Sequence, residues 1–541
     1  MDSIRDSLVG QMLRHHLPSQ LRYPEEKQNP DALKSQLYRV NGPLTSNSSP
    51  TNRSGVDVTL RQDRDLPSDS KDNTDTILCG WYGEDDPANP HNWSASKKLF
   101  AIANVTFCTI VVYMTGPIYA PSQEYFMDEF GTSHEYTVLG LSLFTLGYGV
   151  GPLVFSPLSE VPRIGRNLPY VTTFAAFMIV TIPLALPISA PAFMGLRFLQ
   201  GLLGSPILAT GGASLADLYS DQYVPFAMIA WTAASFSAPA IGPIIASAAM
   251  PHFGWRFSMW EVLIGSGPVM ILLLFWPETS SSTILYRRAA CLRKVTGDER
   301  IRSAAEIAHA GLHLSDVVRE SLLVPARLTV QDPAILFANV YMMLVYGIFY
   351  SFFESFPLIY EPMYAFNYLQ KSLAFLPLAV GTIAAACCNA AFLYFYRLPR
   401  VLSGAPMSPE QVLVPAMVTC FLTPIGLFMF GWSANPAVHW IVSMIGVGLY
   451  AFGVFFIFQA IFLYLPKSYP QYAASLFAAA DTTRSCFALA AYHFARPMFL
   501  NLGIGGGCSL LAGLMVCCIF GLYALFYYGP ALRASSRFAK A

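Results

Sequence analysis

The chain has 541 residues, of which 54% are hydrophobic and only 12% charged, and its mean hydropathy is +0.44. Soluble domains carry roughly 25% charged residues, so this composition predicts a protein that crosses a membrane many times. The formal net charge is zero and long basic runs are absent, so nothing suggests a nucleic-acid partner. Glycine is nowhere followed by lysine, which excludes the phosphate-binding loop of ATPases. Any active transport therefore draws on an ion gradient or on a separate ATPase subunit.

Residues 1–97 form a polar segment at the start of the chain. The part from Asn41 to Asp75 is rich in Ser, Thr, Asn, Asp and Pro, which predicts a mostly disordered tail. An amphipathic pattern near the start is compatible with a short helix on the membrane surface or with a solvated, helix-prone tail. Its apolar members are Ile4, Leu8, Met12 and Leu17. No early apolar run has the character of a signal peptide, so none is expected.

Apolar runs of about 20 residues, the length that crosses a bilayer, occur twelve times. They are residues 98–120, 136–158, 168–188, 192–215, 224–248, 260–277, 334–357, 369–394, 412–432, 437–464, 472–496 and 507–528. An even number of spans places both termini on one side of the membrane. Arginine and lysine are concentrated in the loops on that side, so the positive-inside rule predicts cytoplasmic termini.

A long polar connection, residues 278–333, divides the twelve spans six and six. The predicted fold is therefore an all-α membrane protein with two six-helix bundles, residues 98–277 and residues 334–528. The connection becomes a cytoplasmic central linker, and residues 529–541 become a cytoplasmic C-terminal tail.

The short loop between the second and third predicted spans carries a charged motif. Glu160, Arg163, Gly165 and Arg166 lie where an apolar helix meets water. Their order resembles the Gly-x-Leu-Ala-Asp-Arg-x-Gly-Arg-Arg motif of the major facilitator superfamily. Ser156 replaces the first glycine of that motif, Glu160 replaces its aspartate, and two extra residues precede Gly165. The alternative is a cytoplasmic loop that contains arginines only because such loops are generally rich in basic residues.

Further motifs resemble the same family, in particular its fungal twelve-span drug:proton antiporters of the caffeine, benomyl and multidrug resistance type. Pro239, Gly242 and Pro243 in the fifth span are similar to the antiporter motif Gly-x-x-x-Gly-Pro-x-x-Gly-Gly, although Ala238 and Ile245 replace two of its glycines. The resemblance implies a bent span that seals a leak path. The other matching segments are GWYGEDDPANPHNW at 80–93, GPIYAP at 116–121 and PET at 277–279.

Arg197 lies within the fourth span, in the sequence RFLQG. An arginine inside a membrane needs an anionic partner or a wet cavity, because its guanidinium stays charged. The resemblance implies that Arg197 tunes the proton affinity of a carboxylate. A structural ion pair near the outer end of the span is the alternative.

Glu354 lies deep in the seventh span, in YSFFESFP. A carboxyl that is neutral when dry and ionised when wet suits a proton-coupled carrier, so Glu354 is a candidate proton or cation site. A satisfied structural carboxyl is the alternative. Tyr346, Tyr350 and Phe353 follow helical spacing beside it and are candidates for lining a substrate pocket.

Asp481 and Arg484 are three residues apart in the eleventh span and are further candidates for proton coupling. Their spacing also allows them to pair simply with each other.

The resemblance implies a proton-coupled exporter of small amphipathic molecules that works by alternating access. We expect a monomer in the plasma membrane, with a small-molecule substrate, protons and the lipid bilayer as its partners. No cofactor, metal site or catalytic residue is expected, because the chain shows no metal-ligand spacing and no nucleophile elbow. A dedicated exporter of a self-made secondary metabolite or organic acid is an alternative. A membrane-embedded enzyme or a non-transporting sensor is a distant one.

Overall fold

The computed structural model describes residues 5–16, 23–27, 76–308, 314–404 and 408–539. Within these ranges, eleven helices are long and apolar enough to cross a membrane. They are Ala95–Phe130, His134–Glu160, Asn167–Leu184, Ala190–Ala216, Val224–Phe253, Phe257–Leu274, Pro333–Tyr364, Tyr368–Leu402, Pro409–Ser433, Trp440–Ser468 and Ser475–Ser535. The first ten are called spans 1 to 10 here. They confirm the predicted all-α membrane fold.

The last apolar helix contains two spans. At about 1.5 Å per residue, its 61 residues would extend about 90 Å, three times the hydrocarbon core of a bilayer. Its backbone is broken at Gly503, which has φ 71° and ψ 163°. The rings of Tyr472 and Phe538, beyond the two ends, lie 5.8 Å apart, so the chain turns back on itself. Residues 475–502 and 504–535 are therefore spans 11 and 12, and the predicted count of twelve holds.

Polar side chains begin several of these helices. Ser94 accepts a hydrogen bond from the amide of Lys97 at the start of span 1, and Ser133 caps span 2 in the same way. Asp332 caps span 7, and its second carboxylate oxygen accepts hydrogen bonds from the hydroxyls of Tyr469 and Ser536. Asp332 therefore ties the start of span 7 to the ends of spans 10 and 12. This end of the bundle, which also carries residues 5–16, is called the terminal face.

The two six-helix halves meet along spans 2 and 5 of the first half and spans 8, 10 and 11 of the second. A Cβ at Gly149 of span 2 would overlap Cβ of Ser485 in span 11, so only glycine allows this close approach. Thr232 donates to the Gln459 amide oxygen at 2.8 Å, and the hydroxyls of Ser247 and Ser372 are 2.5 Å apart. These contacts define the seam between the halves.

Shorter elements gather on the terminal face. They are the helices Leu8–His16, Ser281–Thr296, Ala304–Ala308 and Leu314–Gln331 and the strands Ile77–Cys79 and Ile301–Ser303. The two strands pair in parallel, which joins the N-terminal tail to the central linker. Helix Ser281–Thr296 lies against the tail segment that contains Glu25. We call this assembly of tail and linker residues the clasp.

Arg288 holds the clasp together. Its buried guanidinium contacts Glu25 at 3.1 Å and Asp86 at 2.7 Å. Burial raises the pKa of the Asp86 carboxyl, but hydrogen bonds from Arg288 and two backbone amides outweigh it and hold that pKa below its usual value. The carboxylate therefore stays charged beside its partner.

Part of the tail has defined contacts, while the mostly disordered tail over residues 1–97 stays a prediction. Ion pairs, strand pairing and contacts with the linker fix residues 5–16, 23–27 and 76–97. Residues 28–75 lie outside the described residues, as do Ile4 and Leu17 of the predicted amphipathic helix. Its middle forms the helix Leu8–His16.

Candidate transport site

Three tyrosines connect the two halves near the middle of the bundle. The hydroxyl of Tyr148 in span 2 lies 2.5 Å from that of Tyr346 and 3.1 Å from that of Tyr350, both in span 7. The last two hydroxyls are also 3.1 Å apart. All three side chains are buried. Because a hydroxyl both donates and accepts, this cluster can exchange partners as the halves move.

A charged pair lies beside the tyrosines. Arg484 and Asp481 of span 11 are 2.7 Å apart, and both are buried. Arg484 also donates to the hydroxyl of Tyr113 in span 1 at 3.0 Å, and its guanidinium lies 4.8 Å from the centre of the Tyr346 ring. The pair therefore faces the seam and contacts both halves. A buried ion pair of this kind is a functional candidate, because its desolvation is costly.

Glu354 lies farther along span 7, away from the terminal face. Its Oε2 is 3.5 Å from Nε2 of His134 at the start of span 2, so this contact also crosses the seam. The carboxyl lines a cavity of about 150 Å³ that Phe353 lines as well. The structure therefore divides the predicted pocket residues: Tyr346 and Tyr350 join the tyrosine cluster, whereas Phe353 lines the cavity.

Arg197 is fully buried but lies apart from both acidic candidates. It donates to the carbonyls of Gly140 at 2.9 Å, Thr115 at 3.0 Å and Gly116 at 2.7 Å, and to the side chain of Gln200 at 2.9 Å. No carboxylate is among its recorded partners within the described residues. Backbone carbonyl dipoles stabilise the charge of Arg197. The structural ion pair considered as an alternative in the sequence is therefore not found among the described residues.

The charged loop between spans 2 and 3 is fixed by a carboxylate from a distant part of the chain. Glu278, which follows span 6, accepts hydrogen bonds from the backbone amides of Arg166 at 3.2 Å and Asn167 at 3.3 Å. Gly165 has φ 73°, and a Cβ there would overlap Oε2 of Glu278. Glu278 belongs to the PET segment at 277–279, but nothing in the sequence predicted this contact. Glycine is required here by both the turn and the space.

The other charges of the loop have different surroundings. The guanidinium of Arg166 pairs with Asp217 at 3.2 Å, at the end of span 4, and donates to Ser214 at 3.3 Å. Glu160 and Arg163 are exposed on the terminal face. Arg166 therefore links the loop to span 4, while Glu160 and Arg163 remain accessible.

Span 5 runs as one helix through Pro239, Gly242 and Pro243. A Cβ at Gly242 would lie 2.7 Å from the carbonyl oxygen of Met114, so this part of span 5 packs closely on span 1. Pro243 lines the cavity that contains Glu354. The predicted antiporter motif therefore connects the core of the first half with the wall of the cavity.

In the described part of the chain, twelve apolar spans form two halves with ionisable groups buried at the seam between them, as in a membrane transporter. The sequence model of the Major Facilitator Superfamily matches residues 105–492, which is more than half of the chain. The chain belongs to this superfamily, and it is a transporter and not an enzyme.

Curated fungal relatives match most of the chain. The MFS-type transporter pyvG of Aspergillus violaceofuscus is 43% identical, over 86% of this chain and 85% of its own length. Fluconazole resistance protein 1 of Saccharomyces cerevisiae is 37% identical over 88% of each chain. The cycloheximide resistance protein of Candida maltosa is 34% identical over 99% of each. The chain therefore has multidrug efflux proteins among its homologues.

Solved structures support the fold. The human organic anion transporter MFSD10 has a TM-score of 0.56 at 14% identity, covering 79% of this chain and 99% of its own. The proton:xylose symporter XylE has a TM-score of 0.58 at 12% identity, covering 81% and 96%. At such low identity these likenesses concern the architecture alone.

Proposed function

We propose that this chain exports small amphipathic molecules, including drugs and toxins, in exchange for protons. It works as a monomer in the plasma membrane, with both termini, the clasp and the central linker in the cytoplasm. The basic residues concentrated in the loops of the terminal face support this orientation. Relatives named for resistance to fluconazole and cycloheximide support drug-like cargo.

The observation that carries the proposal is the pair of Asp481 and Arg484 at the seam. Alternating access separates the halves on one side at a time, so groups at the seam meet the water of one side in one open state and the water of the other side in the other open state. A carboxylate that is dry when the halves close and wet when they open can take up a proton on one side and release it on the other. Because Arg484 also binds Tyr113 across the seam, this change is coupled to the contact between the halves.

The remaining candidates have supporting roles in this proposal. Glu354 is a second proton-binding carboxyl, nearer to the outside. Arg197 positions the first half and acts only indirectly on the proton-carrying groups. The loop with Glu160, Arg163, Gly165 and Arg166 gates the cytoplasmic side, because Glu278 and Asp217 hold it at the ends of spans 4 and 6.

The experiment uses inside-out plasma-membrane vesicles from yeast that lacks its own drug exporters and expresses this chain. Labelled cycloheximide and fluconazole are supplied outside, and the vesicle lumen is acidified. We expect uptake that disappears when a protonophore is added. Uptake that does not change when the protonophore is added contradicts proton coupling. A lack of uptake for a broad panel of amphipathic toxins contradicts the proposed cargo class.

Asp481→Asn tests the pair directly. Neutralising the carboxylate leaves Arg484 without its counter-charge, so we expect proton-driven uptake to fall at least tenfold. The matched control is Glu410→Gln, which removes a carboxylate about as buried as that of Asp481 but paired with the partly exposed Arg533, 2.6 Å away within the second half. This control loses stability but keeps its dependence on the proton gradient. Equal loss of coupling in both variants contradicts the role given to Asp481.

A further inference from the structure

The cavity beside Glu354 opens between the halves, on the side away from the terminal face. Aromatic rings form its apolar wall. The centre of the Phe375 ring lies 4.6 Å from the centre of the Phe353 ring and 4.6 Å from that of the Phe356 ring. Its volume of about 150 Å³ equals that of an engineered protein cavity known to hold benzene. The cavity therefore has room for one aromatic ring with a short substituent.

One carboxylate oxygen in this cavity lacks a partner. Glu354 is 2% exposed, and its Oε1 has no hydrogen-bond partner among the described residues, whereas its Oε2 faces His134. A buried acceptor without a partner costs about 1–3 kcal/mol, and more when it is charged. Because Glu354 lines the cavity, a donor placed inside the cavity can reach this oxygen.

The other charged groups around the cavity have less need of a ligand. Lys371 contacts Glu361 at 2.6 Å and Glu124 at 3.6 Å, and Glu124 also accepts a hydrogen bond from Tyr368 at 2.5 Å. Arg496 lines the cavity but is only partly buried, so water can solvate its guanidinium. Glu354 is thus the charged group whose environment is least satisfied.

We propose that this cavity, which is separate from the tyrosine cluster, is a cargo site that binds a protonated amine next to an aromatic ring. When Glu354 carries no proton, the ammonium group donates to its Oε1, and the ring packs against Phe353, Phe356 and Phe375. A larger amphipathic molecule places only its amine-bearing end here. The assignment rests on the proposed function in treating the ligand as cargo, but binding is measurable without transport.

The test is calorimetric titration of the purified full-length protein in lipid nanodiscs at neutral pH. Three probes of nearly equal size differ in charge: phenethylamine is a cation, 2-phenylethanol is neutral and phenylacetate is an anion. We expect phenethylamine to bind at least tenfold more tightly than the other two. Equal affinity for all three probes, or tighter binding of phenylacetate through Arg496, overturns the proposal.

Variants locate the binding group. Glu354→Gln should weaken phenethylamine at least tenfold and leave 2-phenylethanol unchanged, which also shows that the variant is folded. Glu354→Asp keeps the charge and should keep the preference for the amine. Glu124→Gln is the matched control, since it removes a carboxylate of the same cavity that already has partners, and it should change affinity less than threefold. Unchanged amine binding in Glu354→Gln, or lost preference in Glu354→Asp, overturns the proposal.

The two proposals fail in different ways. Suppose that the amine preference depends on Glu354 but vesicle uptake is unchanged by the protonophore. The cavity site is then supported and proton exchange is contradicted. If uptake is driven by protons but Glu354→Gln binds all three probes as the parent chain does, proton exchange is supported and the cavity site is contradicted.

Discussion

Replacing Gly165 with alanine tests whether Glu278 locks the loop between spans 2 and 3. The new Cβ has two costs. An L-residue at φ 73° is strained by about 1–2 kcal/mol. The same Cβ overlaps Oε2 of Glu278 and must displace it from the amide of Asn167, and a hydrogen bond to a charged group is worth about 1.5–3 kcal/mol. We therefore expect Gly165→Ala to lose about 2.5–5 kcal/mol.

Gly131→Ala is the matched control. Gly131 has φ 60°, but a Cβ there meets nothing within 4 Å, so this variant carries the backbone strain alone. The assay is the half-life of monodisperse protein in mild detergent at one elevated temperature, since large membrane proteins unfold irreversibly. The difference of about 1.5–3 kcal/mol predicts a half-life for Gly165→Ala that is shorter than the control's by about tenfold to 150-fold. Equal half-lives would show that Glu278 does not hold the loop.

Three further predictions concern the seam, the clasp and the first half. Gly149→Ala should reduce drug efflux at least fivefold, because the halves cannot close over Ser485, and adding Ser485→Gly should restore it; failure of this rescue contradicts the close approach. Arg288→Ala leaves Asp86 buried without its partner, which should destabilise the clasp by about 3–5 kcal/mol. The linker should then be cleaved by trypsin at least a hundredfold faster, and unchanged cleavage would show that other contacts hold the clasp. Arg197→Lys keeps the charge but loses the planar fork, so detergent half-life should fall about tenfold or more, and an unchanged half-life refutes the role of those bonds.

The spans could be predicted because their signal is local. Each needs only enough consecutive apolar residues, and the twelve predicted runs coincide with observed helices to within a few residues at most ends. The connection between spans 11 and 12 differs from the other connections. No polar loop separates these two spans, and one glycine with positive φ, Gly503, reverses the chain. The apolar composition therefore predicted two spans in this region but not the turn between them.

The site was less predictable, because its contacts cross between helices that are far apart in sequence. Tyr148, Tyr113 and His134 each meet a predicted residue of the other half, yet nothing near them in the sequence points to Tyr346, Arg484 or Glu354. Helical periodicity says which residues share a face, not which faces meet.

The clasp was missed for a different reason. A polar composition predicts that a segment cannot fold by itself, and that inference concerns the segment in isolation. Here Glu25 and Asp86 gain a shared partner in Arg288, and strand Ile77–Cys79 pairs with strand Ile301–Ser303. The described part of the tail is held by linker residues that lie about 200 positions away in the sequence.

Arg197 and its hydrogen bonds hold spans 1 to 4 of the first half together. One guanidinium binds carbonyls of Thr115 and Gly116 in span 1 and of Gly140 in span 2. Its neighbour Gln200 continues the chain of hydrogen bonds to Thr181 in span 3. A body that is braced in this way tilts without bending. In the proposed transport cycle, cargo and protons pass between the first half and the second, and hydrogen bonds between hydroxyl groups along the seam break and form again at each turn.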